Sequence, residues 1–288
     1  MNNIAIVTDT TADLPQELAL ENSITIIPLY VGYGEKLYKD GIEINNQKVF
    51  EVLNAGIRIH TSAPSVGDFH KVYGDLIKEG RDRIYSIHLS SKLSGTVNSA
   101  NQASKYFPDN KIKVIDTKNV TTSLGFIALE VARAAKKGID EEYIDQLIDA
   151  LVEDSKFFGA IDNFKYLLQG GRTPFLGKFL GSAIKLKPVL TIGKNGKIKL
   201  KKFTRNKNNA ITELYRQAKK AVSPDYGTKI GIFYGSEKKL ALELEKMIRE
   251  DKDIKLDELI LTEITTIMSA HTGPGIWGVG ICPKIDLY

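Results

Sequence analysis

Three stretches of the chain repeat one order of pattern: a buried-strand run, a polar loop, then a helical stretch. The runs lie at 4–7, 83–89 and 113–117. The first leads into Thr8-Asp9-Thr10-Thr11, the second into Ser90-Ser91-Lys92-Leu93-Ser94-Gly95-Thr96, and the third into a helix through Ala135. Strand, loop and helix repeated at such intervals build a parallel sheet flanked by helices, and ligands of such sheets sit outside the carboxyl ends of the strands. The polar loop of each unit falls at such an end.

Between the first and second units, residues 28–33 and 36–41 read as a β-hairpin insertion around Gly34, near 28–44. An acidic helix over 140–154 closes a first domain, 1–154. From 155 to 288 the pattern changes. A strand–turn–strand unit over 191–203 turns at Asn195-Gly196; a helix follows over 211–222, a strand over 229–234, a helix over 237–249 and a strand candidate over 259–267. The expected fold is therefore α/β with two domains, an N-terminal parallel sheet flanked by helices and an α+β C-terminal domain.

At 288 residues and 42% hydrophobic content the chain can bury a substantial core, and a net charge of +5, from 40 basic and 35 acidic residues, does not by itself imply nucleic acid. The acid-free stretch 193–207 reads as a solvated hairpin or a binding surface. The lone Cys282 excludes an intrachain disulfide and leaves no zinc-ligand spacing, and His60, His70 and His88 stand on separate elements without an i,i+4 partner. No metal or cofactor is expected. With no run of about 18 apolar residues and no basic, apolar leader at its start, the chain is expected to be cytoplasmic, without integral membrane association.

Chemistry concentrates in three hydroxyl-rich loops, Thr61-Ser62-Ala63-Pro64-Ser65, the serine loop around Ser94, and His271-Thr272-Gly273-Pro274-Gly275. Short donors beside Gly or Pro hold a turn against a small polar group. Ser94-Gly95-Thr96 precedes a helical segment, where free N–H groups and the helix dipole favour a carboxylate or phosphate; the alternative is plain helix capping. A serine hydrolase using Ser94 as nucleophile and His271 as base is permitted by residue type, though no G-x-S-x-G elbow is present. The string Gly273-Pro274-Gly275-Ile276-Trp277-Gly278 matches G-x-G-x-x-G, but a proline in the turn and a following strand-like run deny it the βαβ context of a dinucleotide site. Arg172, after two glycines, and Arg205, in the acid-free stretch, read as available charges. Phe157, Phe158, Phe164, Tyr166, Leu167, Leu168, Phe175, Leu176, Phe179 and Leu180 surround the Arg172 loop; core packing is the default for them, and an apolar tunnel between two domains needs the same residues.

Taken in order and spacing, Thr8-Asp9-Thr10-Thr11-Ala12-Asp13-Leu14-Pro15, the Thr61 loop, the serine loop, Gly171-Arg172 and His271-Thr272-Gly273-Pro274-Gly275 resemble the motifs of the DegV family over nearly the whole chain. The resemblance implies a two-domain α/β fold enclosing one long-chain fatty acid in an interdomain tunnel. It also implies a non-catalytic carrier, some members presenting the acyl carboxylate to the catalytic subunit of a fatty acid kinase. It casts Thr61, Ser62, Ser94, His271 and Thr272 as carboxylate-binding residues, and Arg172 and Arg205 as head-group or kinase contacts. Ala63 stands where the family often has Gln, which removes a polar side chain beside Thr61.

Overall fold

In the computed structural model, residues 3–163, 165–179, 185–222 and 227–285 are described. The apolar runs do become parallel strands. Strands β1 (Ile4–Asp9), β2 (Ile24–Ile27), β6 (Arg83–His88) and β7 (Ile112–Asp116) form a sheet of order β2-β1-β6-β7, every pair parallel. Helix α1 (Gln16–Glu21) joins β1 to β2, α3 (Val66–Lys78) precedes β6, and α4 (Thr96–Ser104) leads into β7. The inserted hairpin forms as β3 (Tyr30–Tyr33) and β4 (Lys36–Lys39), with Gly34 at φ 61° in its turn. Helix α2 (Asn46–Asn54) follows, and β5 (His60–Ser62) pairs with β3 to complete a sheet of order β4-β3-β5.

After α5 (Thr122–Lys136) and α6 (Glu141–Asp154) comes a six-stranded mixed sheet of order β10-β9-β8-β13-β11-β12. Its strands are β8 (Lys156–Ile161), β9 (Lys187–Ile192), β10 (Ile198–Thr204), β11 (Thr228–Tyr234), β12 (Leu256–Glu263) and β13 (Ile276–Pro283). Only β11 and β12 pair in parallel. Helix α7 (Lys165–Gln169) and a 3-10 turn at Pro174–Phe179 lie between β8 and β9, and α10 (Thr266–Thr272) between β12 and β13. One face of the sheet packs under α8 (Lys207–Ala221) and α9 (Lys238–Glu250), with Phe158, Ala160, Val189, Trp277 and Val279 buried there. Period-two alternation sends Phe157, Gly159 and Ile161 to the opposite face.

Helix α5 is the hinge pin of the architecture, buried along most of its length and packed against β1 and β6 on one side and β11 and β13 on the other. Close approach is made possible by missing side chains. A Cβ on Gly231 would lie 2.2 Å from Thr122 Cβ, and one on Gly280 would lie 2.5 Å from the Ser123 nitrogen. In the space left, Thr122 Oγ1 donates to the Gly231 carbonyl (2.9 Å) and Ser123 Oγ to the Lys156 carbonyl (2.8 Å). A single apolar cluster consequently runs from Ile6, Tyr85 and Ile87 of the parallel sheet through α5 to Phe157 and Phe233 of the mixed one.

One expectation needs correction. The strand expected over 259–267 ends at Glu263, and Thr266–Thr272 is helical. Two buried carboxylates from distant segments cause the change: Asp13 accepts the Thr265 N–H (2.8 Å), while Asp40 accepts the Thr266 N–H (2.9 Å) and hydroxyl (2.6 Å). They satisfy donors that a helix start leaves unpaired, which no local pattern announces. The apolar residues around the Arg172 loop serve both of the expected purposes, core and cavity wall. Phe158 and Leu176 are core, Phe157 and Leu167 line a cavity, and Phe164, Leu180 and the Phe179 side chain lie outside the described residues.

Candidate functional site

The carboxyl ends of the parallel strands and the free face of the mixed sheet enclose a cavity with about 910 Å³ of space, its open mouth included. Thr11, Leu29, Leu89 and Val120 reach it from the loops after β1, β2, β6 and β7, as the sheet topology requires. Phe157, Gly159, Ile161, Leu190, Ile192 and Ile276 reach it from the mixed sheet. The wall is largely apolar; of its polar residues Ser62 and Arg172 are exposed and mark the mouth, whereas Thr11 is fully buried.

At that mouth Thr61, Ser62, Ser94, Arg172, His271 and Thr272 come together. Thr61 is the middle residue of β5, so alternation turns its side chain inward, and its Oγ1 lies 2.9 Å from His271 Nε2 across 210 residues of sequence. Ser62, next on the strand, is exposed at the rim, with its hydroxyl donated to the Ala63 carbonyl at 3.2 Å. His271 occupies the last turn of α10 rather than a free loop. Burial, and after it the positive charge of Arg172, pushes its pKa down to about 4, so the ring is neutral near pH 7. Thr272 is buried and its hydroxyl bonds back to the Met268 carbonyl at 2.8 Å. That bond commits its proton within the helix.

Ser94 stands one residue before Gly95, the N-cap of α4. Its Oγ lies 2.8 Å from Thr96 Oγ1 and accepts the Thr96 N–H at 3.3 Å, so it both supports the helix start and faces the cavity. Arg172 donates from Nε to the Leu93 carbonyl (3.2 Å) and from Nη1 to the Gly170 carbonyl (2.6 Å), which ties the serine loop to the segment after α7. Arg205 is not at this mouth. It is exposed in a separate groove with Lys202, Thr212, Glu213 and Arg216.

Other residues that shape the site are hard to find from sequence. Buried Asp9 accepts from the Thr11 N–H (3.1 Å) and the Leu89 N–H (3.2 Å), fixing two lining residues, and its Oδ2 lies 2.9 Å from His88 Nδ1. His88 Nε2 in turn meets Ser86 Oγ at 2.6 Å, to which the Tyr73 hydroxyl donates at 2.7 Å. Although this contains Ser, His and Asp, Ser86, His88 and Asp9 are each 0% exposed, so the network braces the wall and meets no substrate. Gly170 is the other omission: a Cβ there would sit 2.6 Å from His271 Nδ1. The Gly-Gly pair before Arg172 was the available signal, and it marks ring contact at Gly170 and a left-handed turn at Gly171 (φ 72°). On the far side, Ser90 donates to the Gly196 carbonyl (2.8 Å), docking the β9–β10 turn onto the serine loop.

A family model described as an uncharacterised protein of the DegV family matches residues 3–284. The chain belongs to the DegV family. A DegV domain-containing protein of Staphylococcus aureus (strain N315) is 31% identical over 284 residues, covering 99% of this chain and 100% of the relative. Among solved structures, a DegV family protein from Thermus thermophilus, described for its fatty acid binding, superposes with a TM-score of 0.92 at 28% identity, covering 98% of this chain and 100% of that one. DegV from Bacillus subtilis, a fatty acid binding protein, gives 0.87 at 28% identity over 99% and 100% of the two chains. A stearic acid-binding protein from Eubacterium ventriosum gives 0.86 at 28% over 99% of each.

Among the described residues no helix is long and apolar enough to cross a membrane, and no group of His, Cys, Asp and Glu has the geometry to hold a metal ion.

Proposed function

We propose that this DegV protein binds one long-chain fatty acid in the cavity and presents its carboxylate at the mouth to the catalytic subunit of a fatty acid kinase in the cytoplasm. The observation that carries the reading is the division of the cavity into an apolar interior and a mouth with Thr61, Ser94, Arg172 and His271. Each buried methylene stabilises the complex by about 0.8 kcal/mol, so the apolar wall supplies affinity and the polar end need only orient. Neutral His271, bonded through Nε2 to Thr61 Oγ1, holds that hydroxyl in place without a second positive charge beside Arg172, whose guanidinium complements a carboxylate. The fatty-acid-binding neighbours support the ligand class.

In this reading chain segments 1–154 and 155–288 act as two domains clasping the ligand, and Arg205, away from the mouth, serves the encounter with the kinase. The kinase transfers the terminal phosphoryl group of ATP to a carboxylate oxygen, giving acyl phosphate and ADP. The carrier itself makes and breaks no bond. A hydrolase reading needs Ser94 activated by His271, whereas the partner of His271 Nε2 is Thr61 and those of Ser94 Oγ are the hydroxyl and N–H of Thr96.

Native mass spectrometry of gently purified protein should show a retained acyl chain of about C14 to C18, a ligand of the size that concave apolar sites of this class bury. Neither retained lipid nor uptake of added fatty acid would overturn the reading. Ser94→Ala should keep its lipid with about 10- to 100-fold weaker binding, since one hydrogen bond to a charged group is worth roughly 1.5–3 kcal/mol. With a fatty acid kinase and ATP, Ser94→Ala and Arg205→Ala should both lower acyl-phosphate formation. Unchanged formation in both would remove presentation while leaving lipid binding intact.

A further inference from the structure

Resting on the reading above, in which the carboxylate occupies the Thr61–His271 mouth, we propose that Phe157 sets the length of acyl chain this protein accepts and that Gly159 gives its ring the room to do so. Strand register locates the ring. The far end of β8 lies beside the mouth, because Ile161 pairs with Ile276 and Asp162 N–H donates to the Gly275 carbonyl (2.6 Å) in the loop after α10. Phe157 is four residues back on the same face, its backbone about 13 Å along the strand from Ile161 at the usual rise, with its ring leaning back over Gly159. There Ile192 and Ile198, paired opposite each other on β9 and β10, also line the cavity.

Phe157 is a stop and not merely a liner because its ring has nowhere to go. Behind it Phe233, fully buried, is stacked at 5.5 Å between centroids with the planes 5° apart. Beneath it is Gly159, where a Cβ would come 2.9 Å from Phe157 Cζ. Its backbone is fixed as well, since the Thr191 hydroxyl donates to the Phe157 carbonyl at 2.8 Å. A methyl terminus that reaches the ring therefore meets a backed, close-packed surface, which yields less readily than a lone aliphatic side chain. A methyl group added at 159 would push the ring forward, into the cavity, because Phe233 blocks the other direction.

The test uses the full, delipidated chain and saturated fatty acids from C12 to C20, with dissociation constants measured for each and circular dichroism confirming the fold. Phe157→Leu and Phe157→Ala should move the tightest-binding length upward, Ala further than Leu, and Gly159→Ala should move it downward. Each methylene gained or lost from burial changes affinity about fourfold. Phe158→Leu, on the opposite face, should keep the wild-type optimum. If folded Phe157→Leu and Gly159→Ala retain the wild-type optimum, or if Phe158→Leu shifts it equally, Phe157 is not the stop while fatty acid binding stands. If the wild-type chain binds no fatty acid of any length, the underlying reading fails and this inference with it.

Discussion

At the mouth of the cavity, Thr61, Ser94, Arg172 and His271 arrive from four separated segments, and the helix bearing His271 is gripped at its start by Asp13 and Asp40, across 252 and 226 residues. At the floor, Phe157, Gly159 and Ile161 arrive from one strand, brought to the cavity by alternation alone. The mouth depends on hydrogen bonds between distant polar groups, each of modest net worth and individually replaceable. The floor depends on close packing over glycines, where even one added carbon is felt. Substitutions at the two ends should accordingly fail in different ways: the floor through steric conflict, the mouth through unpaired polar groups and altered protonation.

The severest expected effect tests the floor. Gly278 on β13 is flanked by Gly159 on β8 and Phe233 on β11, and a Cβ there would lie 2.3 Å from the Phe158 carbonyl oxygen and 2.4 Å from Phe233 Cζ. Because the first obstacle is backbone, Gly278→Ala should cost about 3 kcal/mol in chemical denaturation. A loss below about 0.5 kcal/mol would show that the floor relaxes as easily as a surface and would erase the contrast.

Next comes the mouth. Asp40→Ala leaves the Thr266 N–H and hydroxyl without their buried acceptor and should cost about 2 kcal/mol. Lipid retention should fall more than stability does, because α10 carries His271. Equal stability losses with undiminished lipid binding would mean that the latch supports the fold and not the site.

The mildest effect is a pH dependence. In the unfolded chain His271 takes a proton near pH 6.5, and in the folded protein only near 4, so between those values the unfolded state holds more protons and stability falls as pH falls. Buried Asp13 and Asp40, with pKa values raised chiefly by burial, respond in the opposite sense, being easier to keep protonated in acid. Comparing wild type with His271→Asn isolates the imidazole. Going from pH 6.5 to 5.5 should cost wild type about 1 kcal/mol more than the variant. Parallel pH profiles would place the ring in water and remove the reason for its neutrality.

Much of the parallel sheet was legible, since runs such as 83–89 are bounded by loops too polar to be buried, and the Asn195-Gly196 turn announced the β9–β10 hairpin, with Gly196 at φ 77°. The hydroxyl loops were legible as candidates, and the structure does bring Thr61, Ser94 and His271 to one cavity. The α10 helix was not, because its caps come from Asp13 and Asp40 and leave no trace in the residues around Thr266. Nor was the wall network of Asp9, His88 and Ser86, since a histidine alone in a strand carries no sign of what its ring meets.

By itself the sequence determined the elements whose cause is local: which runs are strands, where Gly and Asn turn the chain, and which short polar loops end up at a carboxyl edge. Side-chain period and backbone φ are set within a few residues, so these survive without knowledge of the rest. Only the tertiary structure decided that α5 fits between two sheets over Gly231 and Gly280, that Thr61 meets His271, and that Arg205 stands apart from Arg172. Those outcomes depend on how segments that are distant in the chain pack together, and on burial, which moves the His271 pKa only once the surrounding protein has closed over the ring.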